Sequence, residues 1–138
     1  MVYKFGDASL RNMEGVHSQL VTIFRVSLSV SPIDFGIPET GGLRTAEEQN
    51  DLYKRDKSKA DGFVNRSKHQ DGLALDFFAY VNGEASWLEQ HLSMVAGVIL
   101  STAKRLYDAG IISIKVRWGG TFGSDEFDGW DMPHIEIV

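Results

Sequence analysis

One aspartate within an apolar segment constrains the fold of this 138-residue chain more than any other feature. Asp76 lies in the run 73–81, among leucine, alanine and phenylalanine residues. An ionised carboxylate on such a strand is costly to bury unless a cation or strong hydrogen-bond donors compensate its charge. His69 precedes this run, and His134 lies near the C-terminus. Two imidazoles and one carboxylate can hold Zn²⁺ and leave a fourth position open for water. The pattern therefore predicts a fold that brings these segments together around a metal.

Each of these residues also fits an ordinary role. His69 can be a surface histidine, Asp76 can face water on the open side of a half-buried sheet, and His134 can cap a strand end. Single histidines and aspartates seldom bind metals. The metal hypothesis depends on their occurrence together in one pattern.

That pattern resembles a known signature. Ser-x-His-x-x-Gly-x-Ala-x-Asp at residues 67–76, followed by Asp131-x-x-His134, is similar to the zinc-site motif of the D-alanyl-D-alanine carboxypeptidase and L-alanyl-D-glutamate endopeptidase family, which includes many phage endolysins. Residues 42–45, the pair at 48–49 and residues 117–120 are similar to family segments in the same order. The resemblance implies zinc bound by His69, Asp76 and His134. One departure is Ile135, where the family often has an aromatic residue.

The remaining site residues have assigned roles and ordinary alternatives. The resemblance places Arg44 at the active site, where it binds substrate or steadies the developing oxyanion; otherwise it pairs with a surface carboxylate. Asp131 is expected to take a proton from the attacking water and return it to the leaving amine. Ser67 is expected to hydrogen-bond substrate or support a ligand. Trp118 precedes two glycines that would let a peptide approach its ring, although it can simply be buried.

Composition limits the classes of function. The length predicts one catalytic domain over residues 1–138 with no separate cell-wall-binding domain. The absence of cysteine excludes disulfides, thiolate zinc ligands and a cysteine nucleophile. A net charge of -5 argues against a nucleic-acid partner. With neither a signal core nor a long apolar stretch, we expect a protein that is made in the host cytoplasm and does not insert into membranes. The resemblance to endolysins implies that it acts on the cell wall after a separate membrane-permeabilising protein releases it. We also expect a monomer.

Local patterns predict an α+β fold, with a small, mainly antiparallel sheet, helices packed on one side and the zinc site in a cleft on the sheet. Apolar spacing predicts a helix over residues 12–29 in which His17 is a surface residue. Capping boxes predict that two helices begin at Thr45 and Ser86 and run toward residues 57 and 109.

Strands are expected at residues 33–37, 73–81, 112–118 and from Pro133, with His134 and Glu136 on one face. Residues 56–65 are expected to form a mobile loop beside the pocket. The acidic loop at residues 125–131 is interpreted as solvated, with a secondary cation site as the alternative.

The predicted function is zinc-dependent hydrolysis of the L-alanyl-D-glutamate bond in peptidoglycan stem peptides, contributing to host lysis. A D-alanyl-D-alanine carboxypeptidase or dipeptidase remains open, because it would use the same ligands. A binding module that keeps zinc for stability is a third possibility, although Asp131 argues against it because a structural zinc requires no nearby proton acceptor. The last alternative is a phage structural or regulatory protein in which the motif arose by chance.

Overall fold

The computed structural model describes residues 2–138 and confirms the α+β class. Four α-helices occur within these residues, at Asp7–Asn12 (α1), Ser18–Val30 (α2), Ala46–Lys54 (α3) and Glu89–Asp108 (α4). Six short strands are at Asp34–Gly36 (β1), Ala74–Asp76 (β2), Phe78–Val81 (β3), Glu84–Ser86 (β4), Val116–Trp118 (β5) and His134–Ile137 (β6). Two 3₁₀ helices are at Lys68–Asp71 and Gly119–Thr121.

The strands form two three-stranded sheets instead of the single sheet that the sequence suggests. Their orders are β1-β3-β4 and β2-β6-β5, and every pair is antiparallel. Residues 73–81 do not form one strand, because the chain leaves one sheet and enters the other at Phe77. The Phe77 side chain is fully buried, and its backbone N–H donates to Pro133 O at 2.9 Å. Asp76 thereby remains in the sheet that contains β6.

A core of aromatic and aliphatic side chains joins the helices to both sheets. Phe24 of α2, Phe35 of β1 and Phe77 pack edge to face, with ring centroids 6.2 to 6.4 Å apart. Helix α4 packs on α2 and contacts both β3 and β5. The buried residues of α4 follow the helical period: Leu92, Val95, Ala96, Ile99 and Ala103. This core fixes the two sheets relative to each other beneath the candidate site.

The helix predicted over residues 12–29 corresponds to α2, which begins six residues later than expected and extends to Val30. Helix α1 ends at Asn12, and the chain turns at Gly15, which has a φ of 80° that favours glycine. Helix α2 then begins at Ser18. His17 is its N-cap, with Nδ1 accepting a hydrogen bond from Gln19 N–H at 3.1 Å. His17 is therefore a capping residue that stabilises the helix start, rather than a residue on the helix surface.

The two predicted capping boxes differ in outcome. Thr45 and Glu48 form theirs reciprocally at 2.9 and 3.1 Å, and α3 follows. The helix ends at Lys54 rather than Lys57, because Asp56 adopts a positive φ of 56°. The capping box predicted at Ser86 does not form, so that prediction is wrong. Pairing with β3 keeps Ser86 in β4, and its Oγ lies 2.6 Å from His91 Nδ1 instead of capping α4.

The predicted strand over residues 112–118 is shortened to Val116–Trp118. The Gln19 side chain accepts hydrogen bonds from the backbone of Ser113 at 2.8 Å and of Ile114 at 3.2 Å. These backbone groups are thus satisfied by a helix side chain rather than by a neighbouring strand. Among the helices within residues 2–138, none combines the length and apolarity needed to cross a membrane.

Candidate metal centre

His69 is positioned by a short 3₁₀ helix and by the loop that contains Gly42. Ser67 Oγ caps this helix by accepting a hydrogen bond from His69 N–H at 3.2 Å, and Gly72 ends it in the left-handed conformation. The backbone of Arg44 donates to His69 O at 3.1 Å. The His69 ring is buried, with Nδ1 only 2.9 Å from Gly42 O. Gly42 is needed for this approach, because a Cβ there would collide with the backbone oxygen of Asn12.

Asp76 and His134 are brought together by the register of the second sheet. They are directly opposite each other on the antiparallel strands β2 and β6. Opposed residues of such a pair place their side chains on the same face, and Asp76 Oδ1 lies 3.1 Å from His134 Nδ1. Asp76 Oδ1 is also 3.2 Å from His69 Nε2. All three predicted ligands therefore meet at one point.

The protonation of the two imidazoles makes this point suited to a cation. His69 Nδ1 must donate to Gly42 O, which can only accept, so Nε2 presents a lone pair. His134 Nε2 donates to the Glu136 carboxylate at 2.8 Å, so the neutral ring presents a lone pair at Nδ1. These two nitrogens lie only 3.2 Å apart. Together with Asp76 Oδ1 they are three acceptors that repel one another unless a proton or a metal ion lies between them.

The separations of these atoms suit a small tetrahedral ion. Ligands about 2.0 to 2.1 Å from a tetrahedral Zn²⁺ are about 3.3 Å from one another. The three separations here are 3.1, 3.2 and 3.2 Å. His69, Asp76 and His134 are also the one group within residues 2–138 whose candidate ligand atoms cluster closely enough to hold a metal. The donor set therefore fits zinc, and the same chemistry also accepts other divalent first-row metals.

Glu136 supports the site by fixing one ligand. It is 6% exposed and lies two residues beyond His134 on the same face of β6. Its Oε1 accepts from His134, while Oε2 accepts from Arg117 Nε at 2.8 Å and forms an ion pair with Arg117 Nη2, also at 2.8 Å. Arg117 is the cross-strand partner of Glu136 on β5. Burial opposes ionisation of Glu136, but the hydrogen bonds from His134 and Arg117 prevail and lower its pKa to about 2.

Arg44 is more deeply engaged with the protein than the sequence suggests. It is 9% exposed, and three of its nitrogens are hydrogen-bonded within the chain. Nε donates to Thr40 O at 2.6 Å, Nη1 to Gln49 Oε1 at 3.0 Å and Nη2 to Asp76 Oδ2 at 2.9 Å. Arg44 lines the cleft, but these contacts first of all fix the second oxygen of Asp76. Support of a ligand is therefore the role that its hydrogen bonds define.

The electrostatics of the ligands favour a bound cation. Burial opposes ionisation of Asp76, yet the adjacent His69 and His134 hold the pKa of Asp76 well below its usual range. Burial likewise lowers the pKa of His134, but hydrogen bonds to Asp76 and Glu136 outweigh it and raise the pKa to about 9. In the metal-free protein a proton at His134 thus occupies the position that a metal ion would take.

Asp131 lies at the edge of this group. Its Oδ2 is 3.7 Å from His134 Nδ1, and its side chain is 30% exposed in the cleft. Burial raises the pKa of Asp131, with partial opposition from His134. A carboxyl group with a raised pKa beside a candidate metal is suited to accept and return a proton. Its position depends on Gly119, because a Cβ at residue 119 would collide with the Asp131 backbone oxygen.

The site lies in a cleft of about 760 Å³. The loop at residues 56–65, predicted to lie beside the pocket, contributes to its wall, as does Ser67. Trp118 does not. It is 5% exposed, and its indole N–H donates to Met132 O at 2.6 Å. Burial at the end of β5 therefore replaces the expected substrate contact.

Aromatic rings that the sequence did not single out line the cleft in its place. Phe122 lies 5.8 Å from the His134 ring and 5.4 Å from the Trp130 ring. Trp130 is 57% exposed, and Lys59 Nζ lies 4.3 Å from its ring centroid. These residues belong to loops without a periodic pattern, so only the folded chain reveals them. For Glu136 a signal existed, since it shares a strand face with His134.

Among the described residues, the acidic loop contains no further group of three potential ligand atoms close enough to hold a metal. Asp125, Glu126 and Asp128 are exposed, and the Asp128 carboxylate accepts a hydrogen bond from Ser124. Only Asp131 of this loop contributes to the group around His134. This arrangement agrees with the interpretation of a solvated loop.

The chain that forms this candidate metal site matches one known family over its whole length. The family model of phage L-alanyl-D-glutamate peptidases matches residues 1–138. The chain belongs to this peptidase family. The family resemblance drawn from the motifs is thus confirmed, and with it the peptidase class.

Two relatives support the assignment over the whole length. The L-alanyl-D-glutamate peptidase of Escherichia phage T5 is 30% identical over 152 residues, which cover 100% of each chain. The crystal structure of the Serratia marcescens L-Ala D-Glu endopeptidase ChiX superimposes with a TM-score of 0.77 at 29% identity. That match covers 99% of this chain and 90% of ChiX. The similarity therefore includes both sheets and the cleft.

Proposed function

We propose that this protein is a zinc-dependent endopeptidase that hydrolyses the L-alanyl-D-glutamate bond of peptidoglycan stem peptides. The observation that carries the proposal is the group formed by His69, Asp76 and His134, whose ligand atoms meet in a cleft with Asp131 at its edge. The activities for which the phage T5 relative and ChiX are named support the choice of bond. We further propose that the activity contributes to host lysis once the protein reaches the wall.

The chain's residues divide the chemistry between them. His69, Asp76 and His134 would hold the zinc, which when bound acidifies water and polarises a carbonyl group. Asp131 would accept the proton of the attacking water and return it to the leaving amine. Burial raises the pKa of Asp131 and so favours its protonated form, which suits the return of a proton to the leaving amine.

Other residues keep this arrangement rigid. Arg44 donates a hydrogen bond to Asp76 Oδ2 and so fixes this carboxylate, whose Oδ1 lies beside the two histidines. Glu136 fixes the tautomer of His134. Ser67 caps the 3₁₀ helix that carries His69 and lines the cleft, where its hydroxyl is available to a substrate peptide. Such fixed geometry reduces the reorganisation needed when charge develops on the reacting carbonyl.

Peptidoglycan digestion tests the proposal. Zinc-loaded wild-type protein and Asp131→Ala are incubated with purified peptidoglycan, and the new termini are identified by mass spectrometry. New N-terminal D-glutamate from the wild type alone is the expected result. Release of D-alanine would instead support the carboxypeptidase alternative, and no release from several wall types would support a binding module.

A further inference from the structure

Positive charge is concentrated in the cleft of an otherwise acidic protein. Of the 14 lysines and arginines, six line the cleft, whereas only four of the 19 acidic residues do so. With histidines counted as neutral and before any metal is counted, the cleft therefore has a net charge of +2. Eight basic and 15 acidic residues remain elsewhere and carry a net charge of -7. A concave surface of opposite sign to the rest of the molecule favours an anionic ligand.

Most of these cations already have an acidic partner. Arg44 pairs with Asp76, and Arg66 pairs with Asp71. Lys68 and Arg117 both pair with Glu136. Two lysines of the cleft, Lys57 and Lys59, form no salt bridge with any residue in the range 2–138. They are consequently the charges available to a ligand.

Lys59 differs from Lys57 because the residues before and after it are both held by hydrogen bonds from one buried side chain. The buried Gln49 side chain donates to Ser58 Oγ at 2.7 Å and to Ala60 O at 2.8 Å. The same Gln49 accepts from Arg44, which holds Asp76. A continuous hydrogen-bond network thus joins the segment around Lys59 to a metal ligand.

The lysine head group is also located within the cleft. Its Nζ lies 4.3 Å from the Trp130 ring centroid, and Trp130 packs on Phe122, which in turn contacts His134. A cation over an exposed aromatic ring keeps donors available, because the ring engages only one side of the ammonium. Lys59 therefore presents a positioned, unneutralised charge along the wall that leads to the metal ligands.

We propose that Lys59 is a specificity-determining residue that binds the free carboxylate of D-glutamate, so that the cleft selects acidic stem peptides over amidated ones. This inference rests on the proposed function, because D-glutamate in a stem peptide retains one carboxyl group outside the peptide chain. When that group is amidated, the negative charge is lost and Lys59 keeps only a neutral partner. The discrimination is electrostatic and separate from the hydrolytic machinery.

Binding measurements test the inference without turnover. The zinc-loaded Asp131→Asn protein is titrated calorimetrically with two tripeptides that differ only in a free or amidated D-glutamate carboxyl group. We expect the acidic peptide to bind about two- to fivefold more tightly. Adding Lys59→Gln should reduce its affinity to that of the amide and leave the amide unchanged, whereas Lys59→Arg should preserve the preference. Lys104→Gln removes the same charge from an exposed site outside the cleft and is the matched control.

Two results would overturn the inference: equal affinity of the Asp131→Asn protein for both peptides, or an equal loss of both affinities in Lys59→Gln. Hydrolysis by the wild type is measured in parallel and decides the proposed function by itself. If the wild type cuts the L-alanyl-D-glutamate bond without a preference for the acid, the function stands and the role of Lys59 fails. If it cuts neither peptide, the function fails, and the binding comparison still decides whether Lys59 reads the carboxylate.

Discussion

Removal of the Glu136 carboxylate should weaken metal binding although Glu136 is not itself a predicted ligand. Its hydrogen bond to His134 is 2.8 Å long, and the two side chains are each 8% exposed, so water cannot readily replace it. Partners that orient a ligating histidine typically change metal affinity by about ten- to hundredfold, or ~1.4 to 2.8 kcal/mol. For Glu136→Ala we expect the upper part of this range, because the lost acceptor is charged and buried. Glu136→Gln keeps an acceptor oxygen and should lie near tenfold.

Zinc affinity is measured by competition with a chromophoric chelator, and circular dichroism verifies the fold. Glu84→Ala is the matched control, since Glu84 is an exposed acid in the other sheet. Activity at saturating zinc should recover substantially in Glu136→Gln. Unchanged zinc affinity in folded Glu136→Ala would refute the reasoning. Activity lost at full zinc occupancy would instead assign Glu136 a direct part in the reaction.

Three further predictions concern the ligands, the base and pH. His134→Ala should lose one bound zinc per chain by metal analysis of protein without a histidine tag, whereas His91→Ala, outside the site, should retain it. Gly119→Ala should lower kcat at least about tenfold with zinc retained, because the new Cβ displaces Asp131; unchanged kcat would contradict this geometry. In chelator-treated protein, the raised pKa of His134 stabilises the fold fully below about pH 6.5, and this stability should be lost as pH rises through about 9. Denaturant unfolding measures the loss, which His134→Gln should abolish.

Local chemistry explains why parts of the fold were predictable. The capping box at Thr45 depends on residues three positions apart, which interact within one helix turn. Prediction failed where distant groups compete for the same backbone. The Gln19 side chain accepts hydrogen bonds from the backbone of Ser113 and Ile114, so the strand predicted over residues 112–118 begins only at Val116. Pairing of β4 with β3 similarly keeps Ser86 from capping α4.

The sequence by itself determined the kind of site. With no cysteine, any zinc must bind histidine and carboxylate, and burial of Asp76 in an apolar run would call for a cation or strong hydrogen-bond donors to compensate its charge. These are properties of residue type and spacing, and the resemblance of residues 67–76 and 131–134 to the family motif then singled out His69, Asp76 and His134 as candidate ligands.

Only the tertiary structure decided which atoms face the candidate metal position and which side chains line the cleft. Each imidazole has two equivalent-looking nitrogens, and the tautomer depends on a neighbour supplied by the fold, namely Gly42 O for His69 and Glu136 for His134. Trp118 shows the opposite outcome. The sequence suggested that its ring faces the cleft, but the ring is buried at the end of β5. The position of Lys59 depends on hydrogen bonds from Gln49 to Ser58 and Ala60, which are nine and eleven residues from Gln49 in the sequence. The physical reason is common to all of them: hydrogen bonds and burial are set by neighbours in space, which a linear sequence does not specify.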